Sequence, residues 1–501
     1  MDTQNVFYCQ RPINLDIDAL LQTNPPPFSY KRDGFLYLMD IWIEQYNWRD
    51  SKKLLAKGNY VPLRSQKLKR VLYDYEDYKN YLLEVGIWQS DKKYIIGKKS
   101  TSYKLADEYL GKFTTEQITH KKLIDRILCV RQVDNEKINN TYPGLIEWFN
   151  GLEIDVEGAT QCVEKIIRAK VKKKQKPKRG RAIALAEACY LRSILKIANK
   201  DYSFKIDDRS GRFFSVLTNM KKELRAYLTY NGEKLVCVDL SNSQPFFSLL
   251  LLNLDFYNST DTDFININHL TQYVQKGLKT VMNNAKAIIN EVDKWTYNER
   301  RHFGRKVDYQ EISTSFLPTC GRRGDFQGNE KEDLHDSGLY CYNVRHGNLY
   351  ESILAIMPEG STRKQAKQSV ITIFFADNDD RRPHFIKNRK LFEQLYPNVN
   401  RVFWQIKRED YTLLSITLQN VEAEVFLSRI CKRLYQQHPT IPVFTIHDSI
   451  CTTISHEAFL TEIVYEEITK AMGIRPHLKK EDWGSGSENN LVELPQPIIC
   501  I

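Results

Sequence analysis

The sequence contains no apolar run approaching the roughly 18 to 20 residues that a membrane helix needs. Its longest candidate, Phe246 to Leu252, is far too short. The opening stretch, MDTQNVFYCQRPINLD, has no basic start followed by an apolar core, so a secreted protein is not expected. The 10 cysteines never fall two to four residues apart, which removes zinc-ribbon and thioredoxin-type motifs. Such a scatter suits small buried thiols in a reducing compartment, and a cytoplasmic protein of a bacterial or phage-infected cell is expected. No internal repeat shows at solenoid periods. Collagen, coiled-coil and disulfide-rich classes are excluded as well.

What is present is a chain of 501 residues, 42% hydrophobic and 27% charged, enough to bury a substantial core in about three domains. Its net charge of +11 is concentrated in one place. Lys165, Arg168, Lys170, Lys172, Lys173, Lys174, Lys176, Lys178, Arg179 and Arg181 follow one another with no acidic residue among them. A block of this kind is either a solvated linker or a contact for a phosphate backbone, which releases counterions when bound.

Residues 1 to about 105 mix aromatic and polar segments and show no catalytic pattern. From about 106 to 205, KLIDRILCV, IEWFNGLEI and ALAEACYLRSILKIA carry apolar residues at three- and four-residue steps, which predicts helices around the basic block. Near Asp207 the character changes. LVCVDL (235–240) reads as a short strand ending at Asp239, and VFTI (443–446) as a strand entering a turn at His447, Asp448 and Ser449. Residues 256–400 between them, with turns at GRRGDFQGN (321–329), read as an inserted lobe.

An aspartate at a strand end is by itself an ordinary turn residue. Two of them on neighbouring strands, however, suit a pair of divalent cations in phosphoryl transfer. Mg²⁺ takes one or two carboxylates plus substrate phosphates rather than a full protein cage, so two would suffice. A third element adds to them. In STRKQAKQSVITIFFA (361–376), Arg363, Lys367 and Phe375 are four and eight residues apart, on one side of a helix. Two cations and a ring match a nucleoside triphosphate.

In order and context these segments resemble motifs A, B and C of the family-A DNA polymerases and the phage-type single-subunit RNA polymerases. Asp239-Leu-Ser-Asn-Ser-Gln244 resembles motif A, Arg363 to Ala376 motif B, and Ile446-His447-Asp448-Ser449 motif C. Two flanking segments extend the likeness over roughly residues 205–480. Ser210-Gly211-Arg212, with Arg225 beyond it, is similar to a segment whose Arg touches the primer–template minor groove. Leu418-Gln419-Asn420-Val421-Glu422-Ala423 is similar to the helix whose Gln does the same. The resemblance implies an α+β right-hand fold of palm, fingers and thumb behind a mostly helical N-terminal region. The parts would be an accessory region (1–105), a helical thumb-like region (106–205) with the basic segment 165–181, palm (206–255), fingers (256–400) and palm again (401–501).

It also implies two Mg²⁺ (or Mn²⁺) ions on Asp239 and Asp448, and Lys367 and Arg363 on the triphosphate. Gln244 and Phe375 would lie at the nucleotide. Arg212, Arg225, Gln419 and the basic residues Lys172, Lys173, Lys174, Lys176, Lys178 and Arg179 would lie on nucleic acid. Ser449 reads as support for the turn. The implied partners are a DNA (or RNA) primer–template and nucleoside triphosphates, in phage, plasmid or other mobile-element replication, or in repair or defence.

His-Asp-Ser and Ser369-Val-Ile-Thr372 resemble the RNA polymerases. Gln244 stands where the DNA enzymes have a bulky Glu that leaves no room for a 2′-hydroxyl, and Phe375 lacks the phenol oxygen that could hold one. Size at residue 244 favours DNA as the product. No acidic exonuclease pattern lies upstream, so proofreading is not expected. The alternatives are a single-subunit-type RNA polymerase or primase, a template-independent nucleotidyltransferase, and a non-catalytic nucleic-acid-binding relative.

Overall fold

The computed structural model describes residues 7–47, 58–93, 100–172, 178–281, 336–483 and 491–493. They form a mixed α and β molecule with two hydrophobic cores. No helix among them is long and apolar enough to cross a membrane.

The first core belongs to the N-terminal region. The helix Arg32–Asn47 contributes Phe35, Leu36, Leu38, Met39, Trp42 and Ile43 to it. Phe7–Pro12 pairs antiparallel with Phe113–Ile118, Phe7 opposite Ile118. That pairing carries the unit past the division expected at residue 105, and its core runs on to Ile127. The segment after 105 is therefore not helical throughout: strand 113–118 closes the sheet begun by strand 7–12.

Beyond it, helices α1 (Val156–Lys172) and α2 (Lys178–Ala198) pack together. Helix α2 also fastens the N-terminal unit to the rest. Buried Arg192 pairs with Asp40 and, at 2.9 Å, with Glu44; Lys196 reaches Glu44 at 2.7 Å. Arg131 joins Glu44 to Asp201. Burial and three cations act on Glu44 in opposite directions, and the cations win, holding its carboxyl well below the ordinary value. Lys173, Lys174 and Lys176 of the basic block lie outside the described residues. Lys172, Lys178 and Arg179 lie on α1 and α2, and their side chains too are outside the description.

The second core spans Ile138 to Trp483 around a seven-stranded antiparallel sheet. In chain order its strands are β1 (Leu152–Ile154), β2 (Leu228–Tyr230), β3 (Glu233–Leu240), β4 (Phe444–Ile446), β5 (Ser449–Thr453), β6 (Leu478–Asp482) and β7 (Leu491–Glu493). The main path runs β4-β5-β3-β6-β7, with β2 pairing the start of β3, and β1 pairing β2. Strand β3 is thus paired on both sides, and Leu235, Val236, Cys237 and Val238 are all buried. A strand covered on both faces reads as a continuous apolar run, as LVCV does. Helix α9 (Glu457–Met472) lies against β3 and β5 through Leu460, Ile463, Val464 and Ile468, and ends on Gly473 at φ +67°.

The register places Cys237 opposite Cys451, and the two are joined as a disulfide. Ten separate thiols were expected; residues 214 apart in sequence become neighbours only once β3 and β5 pair.

Between β3 and β4 the chain leaves the sheet and returns. Helix α3 (Ser243–Ser248) follows β3 directly. After residues 282–335, which lie outside the description together with the 321–329 turns, come α4 (Leu349–Ala355), α5 (Arg363–Phe375), α6 (Pro383–Leu395), α7 (Pro397–Ile406) and α8 (Leu413–Ala423). Both α6 and α7 begin on a proline, whose fixed φ suits the first helical turn.

Candidate active site

Asp239 and Asp448 are brought together by strand register. Asp239 is opposite Ser449 across the β3–β5 ladder, and the Leu240 amide donates to the Asp448 carbonyl at 3.2 Å. His447 and Asp448 are the two-residue turn between β4 and β5, with His447 in the left-handed region at φ +56°. Histidine is among the few non-glycine residues enriched there. Ser449 Oγ donates to the Ile446 carbonyl at 2.9 Å, bracing the turn as expected of it. Asn242, at φ +54°, turns the chain from β3 into α3, and Ser243 Oγ then donates to Asp448 Oδ2 at 2.7 Å.

Asp239 feels the charge of Asp448. Burial, then the charge of Asp448, pushes the Asp239 carboxyl up to about 7; Glu481 adds to this, while Lys479 and Lys367 pull it down. Lys479 is the register partner of Asp239 on β6. Two half-buried carboxylates, one at a strand end and one in the adjoining turn, could hold a cation. Their hard oxygen donors suit Mg²⁺. Among the described residues no group of three or more His, Cys, Asp or Glu could hold a metal; these two aspartates are residues that could hold one together with water or phosphate.

Helix α5 starts in a capping box: the Thr362 side chain accepts from the Gln365 amide, and the Gln365 side chain from the Thr362 amide. Ala366, Ser369, Val370, Thr372, Ile373 and Phe374 are buried, while Arg363, Lys367 and Phe375 are exposed. Lys367 lies close enough for its charge to act on Asp239. Arg363 does not stand free: its Nε donates to Glu351 of α4 at 2.6 Å, and its guanidinium covers the Tyr350 ring at 5.0 Å. The charges of both Arg363 and Asp448 act on the Tyr350 phenol, so Tyr350 joins the two ends of the site.

Arg212 and Gln244 converge on one residue that the sequence analysis passed over. Glu422, 1% exposed on α8, accepts from Arg212 Nε at 2.9 Å and Nη2 at 2.8 Å, and from Gln244 Nε2 at 3.0 Å. Burial raises its carboxyl to about 7, the Arg212 charge opposing this and Asp448 adding to it. In LLSITLQNVEA it is the one charged side chain on a buried helix, and that was the signal available. Asn420, on the same helix, donates to the Arg209 carbonyl at 2.6 Å and fixes the turn that presents Arg212. Gly211 makes the turn at φ +69°, where a Cβ would also press on Ala423 at 3.4 Å.

Gln419 is partly exposed on α8. Arg225 lies over Trp483 at 5.4 Å, its Nε buried without a hydrogen-bond partner. The charges of Arg212 and Arg225 both act on His447, so the three share one neighbourhood beside Asp448. The His447 Nδ1 is buried and makes no hydrogen bond among the described residues.

No family model matches the chain, and no curated protein does. Among solved structures, the POL domain of Pol1 from M. smegmatis, in complex with DNA primer-template and dNTP, is similar over 73% of this chain and 73% of its own. The identity is 9% and the TM-score 0.29, too low for that likeness to say what this chain does.

Proposed function

We propose that the chain is a template-directed nucleic-acid polymerase that transfers nucleotides to a primer 3′-hydroxyl, with DNA as the favoured product and no proofreading. One observation carries the reading: the β3–β5 register sets Asp239 beside the turn that bears Asp448, whose charge acts on it, with Lys367 of α5 also near enough to act on Asp239. Two neighbouring carboxylates with a lysine nearby are the arrangement that polyphosphate chemistry needs.

Mg²⁺ bound at Asp239 and Asp448 would supply Lewis acidity to the reacting phosphate and lower the pKa of the attacking hydroxyl. The protein's own residues do the rest. Lys367 neutralises charge that develops on the phosphates and is placed to give a proton to the leaving pyrophosphate. Arg363 clamps the triphosphate once it exchanges Glu351 for phosphate oxygens. Exposed Phe375 offers a face to the base or sugar. Gln244 stands where a 2′-hydroxyl would lie. Arg212, through the Nη1 that its pair with Glu422 does not use, and Gln419 position the duplex. Helices α1 and α2 form the thumb, and the basic segment 165–181 follows a backbone there.

The test is extension of a labelled primer on a DNA template with Mg²⁺, run with dNTPs and NTPs in parallel, with Asp448→Ala as control. Extension confined to dNTPs and lost in the variant is the expected result. Preference for NTPs would move the protein to RNA synthesis, growth that ignores the template would make it a terminal transferase, and tight duplex binding without extension would leave a binding protein.

A further inference from the structure

Glu422 answers a question that size at residue 244 leaves open. A glutamine side chain has three rotatable bonds and, left to itself, samples many rotamers. Such a side chain can swing aside and admit the group it is meant to exclude. Here it cannot. Its Nε2 donates to Glu422 Oε2 at 3.0 Å, and above about pH 7, where that carboxyl is ionised, the carboxylate only accepts, which holds the amide nitrogen-inward. The carboxylate is itself immobile, 1% exposed and gripped by both Arg212 donors. Gln244 Oε1 is buried and has no hydrogen-bond partner among the described residues.

We propose that Glu422 is a positioning residue that locks Gln244 as a rigid wall, so that sugar selection belongs to the Gln244–Glu422 pair rather than to the size of residue 244. The proposal rests on the polymerase reading given above. It accounts for glutamine at this position: a glutamate there would set a second carboxyl against one that burial already raises, and the two could stay together only by sharing a proton. It also links the wall to Arg212, because one carboxylate orients both. A duplex that shifts Arg212 shifts the partner of the gate.

The experiment is a charge swap. Four proteins are compared: wild type, Glu422→Gln, Gln244→Glu, and the double variant Gln244→Glu/Glu422→Gln, in which donor and acceptor trade places. Each is assayed for kcat/KM with dNTPs and with NTPs on one primer–template, above neutral pH. Loss of a hydrogen bond to a charged partner should lower the dNTP-to-NTP preference on the order of tenfold in each single variant. The double variant should recover most of it. Gln244→Glu is the decisive single change, since its size is nearly unchanged; an unaltered preference there would overturn the lock and leave size as the gate. Thermal unfolding of the same four proteins reads the contact without catalysis. Both single variants should melt lower; because Glu422→Gln also takes the carboxylate from Arg212, the double variant should regain only the part lost in Gln244→Glu, and losses that add in full would overturn the lock whatever the kinetics show. A wild-type protein that extends no primer with either sugar would instead overturn the polymerase reading and with it the sugar role, while the melting series still reports on the contact.

Discussion

Asp239→Asn should make the metal-free protein more stable above neutral pH, an unusual outcome for loss of a charged group. An ordinary aspartate ionises near 3.8, and in the folded chain this one is raised to about 7, first by burial and then by Asp448. Below 3.8 both folded and unfolded states hold the proton and the shift has no effect. Between 3.8 and 7 the unfolded chain gives up a proton that the folded chain keeps, so stability falls as pH rises. Above 7 the loss is complete. Three units at about 1.36 kcal/mol each give about 4 kcal/mol, and partial exposure of the carboxyl reduces this to about 2–4 kcal/mol. In a melting curve that is roughly 2 to 8 °C. The assay is thermal unfolding in EDTA across pH 5 to 9, wild type against Asp239→Asn. The wild type should lose more stability than the variant as pH rises. Millimolar Mg²⁺ should restore the wild type at high pH and leave the variant where it was. Parallel pH slopes in EDTA would refute the electrostatic reasoning, and equal responses to Mg²⁺ would remove Asp239 from the metal site.

Three further outcomes follow from other contacts. Arg192→Ala strands the buried Asp40 carboxylate, takes one of three cations from Glu44, and should cost about 3–5 kcal/mol in urea unfolding. Lys367→Ala should lower kcat by about 10²- to 10³-fold, with primer–template affinity by fluorescence anisotropy unchanged. Glu351→Gln releases Arg363 from a half-exposed ion pair and should lower the nucleotide KM roughly two- to fivefold, an effect that shrinks in high salt.

Strand ends and the helix of the site were legible because each rests on local pattern. LVCVDL is a buried run with an acid at its end, and the Arg363–Phe375 helix begins at a capping box in the sequence itself. The strand LKKED (478–482) was not legible. Its charges deny it the look of a strand, and only pairing with β3 puts Lys479 opposite Asp239. Glu422 was missed for a different reason: its partners are 178 and 210 residues away, and no local rule joins them. The pairing of Arg363 with Glu351 was equally invisible, because a solvated helix face and a clamped one have the same spacing. In the N-terminal region, strand 113–118 answers strand 7–12 across about a hundred residues, so the division at 105 fell inside a sheet.

The excursion from Leu240 to Phe444 leaves and rejoins the sheet so that β3 and β4 flank the same strand, β5. Closing such a loop costs an entropy that grows only with the logarithm of its length, and doubling the loop adds about 0.6 kcal/mol. The site's two anions are therefore nearly indifferent to how much chain lies between them. Segments could be grafted into or cut from the lobe away from α3, α5 and α8 with little effect on the Asp239–Asp448 register. The converse holds within the sheet, where a one-residue slip of β5 against β3 would turn Ser449 and Cys451 to the opposite face. A protein engineer has wide latitude in the first and none in the second.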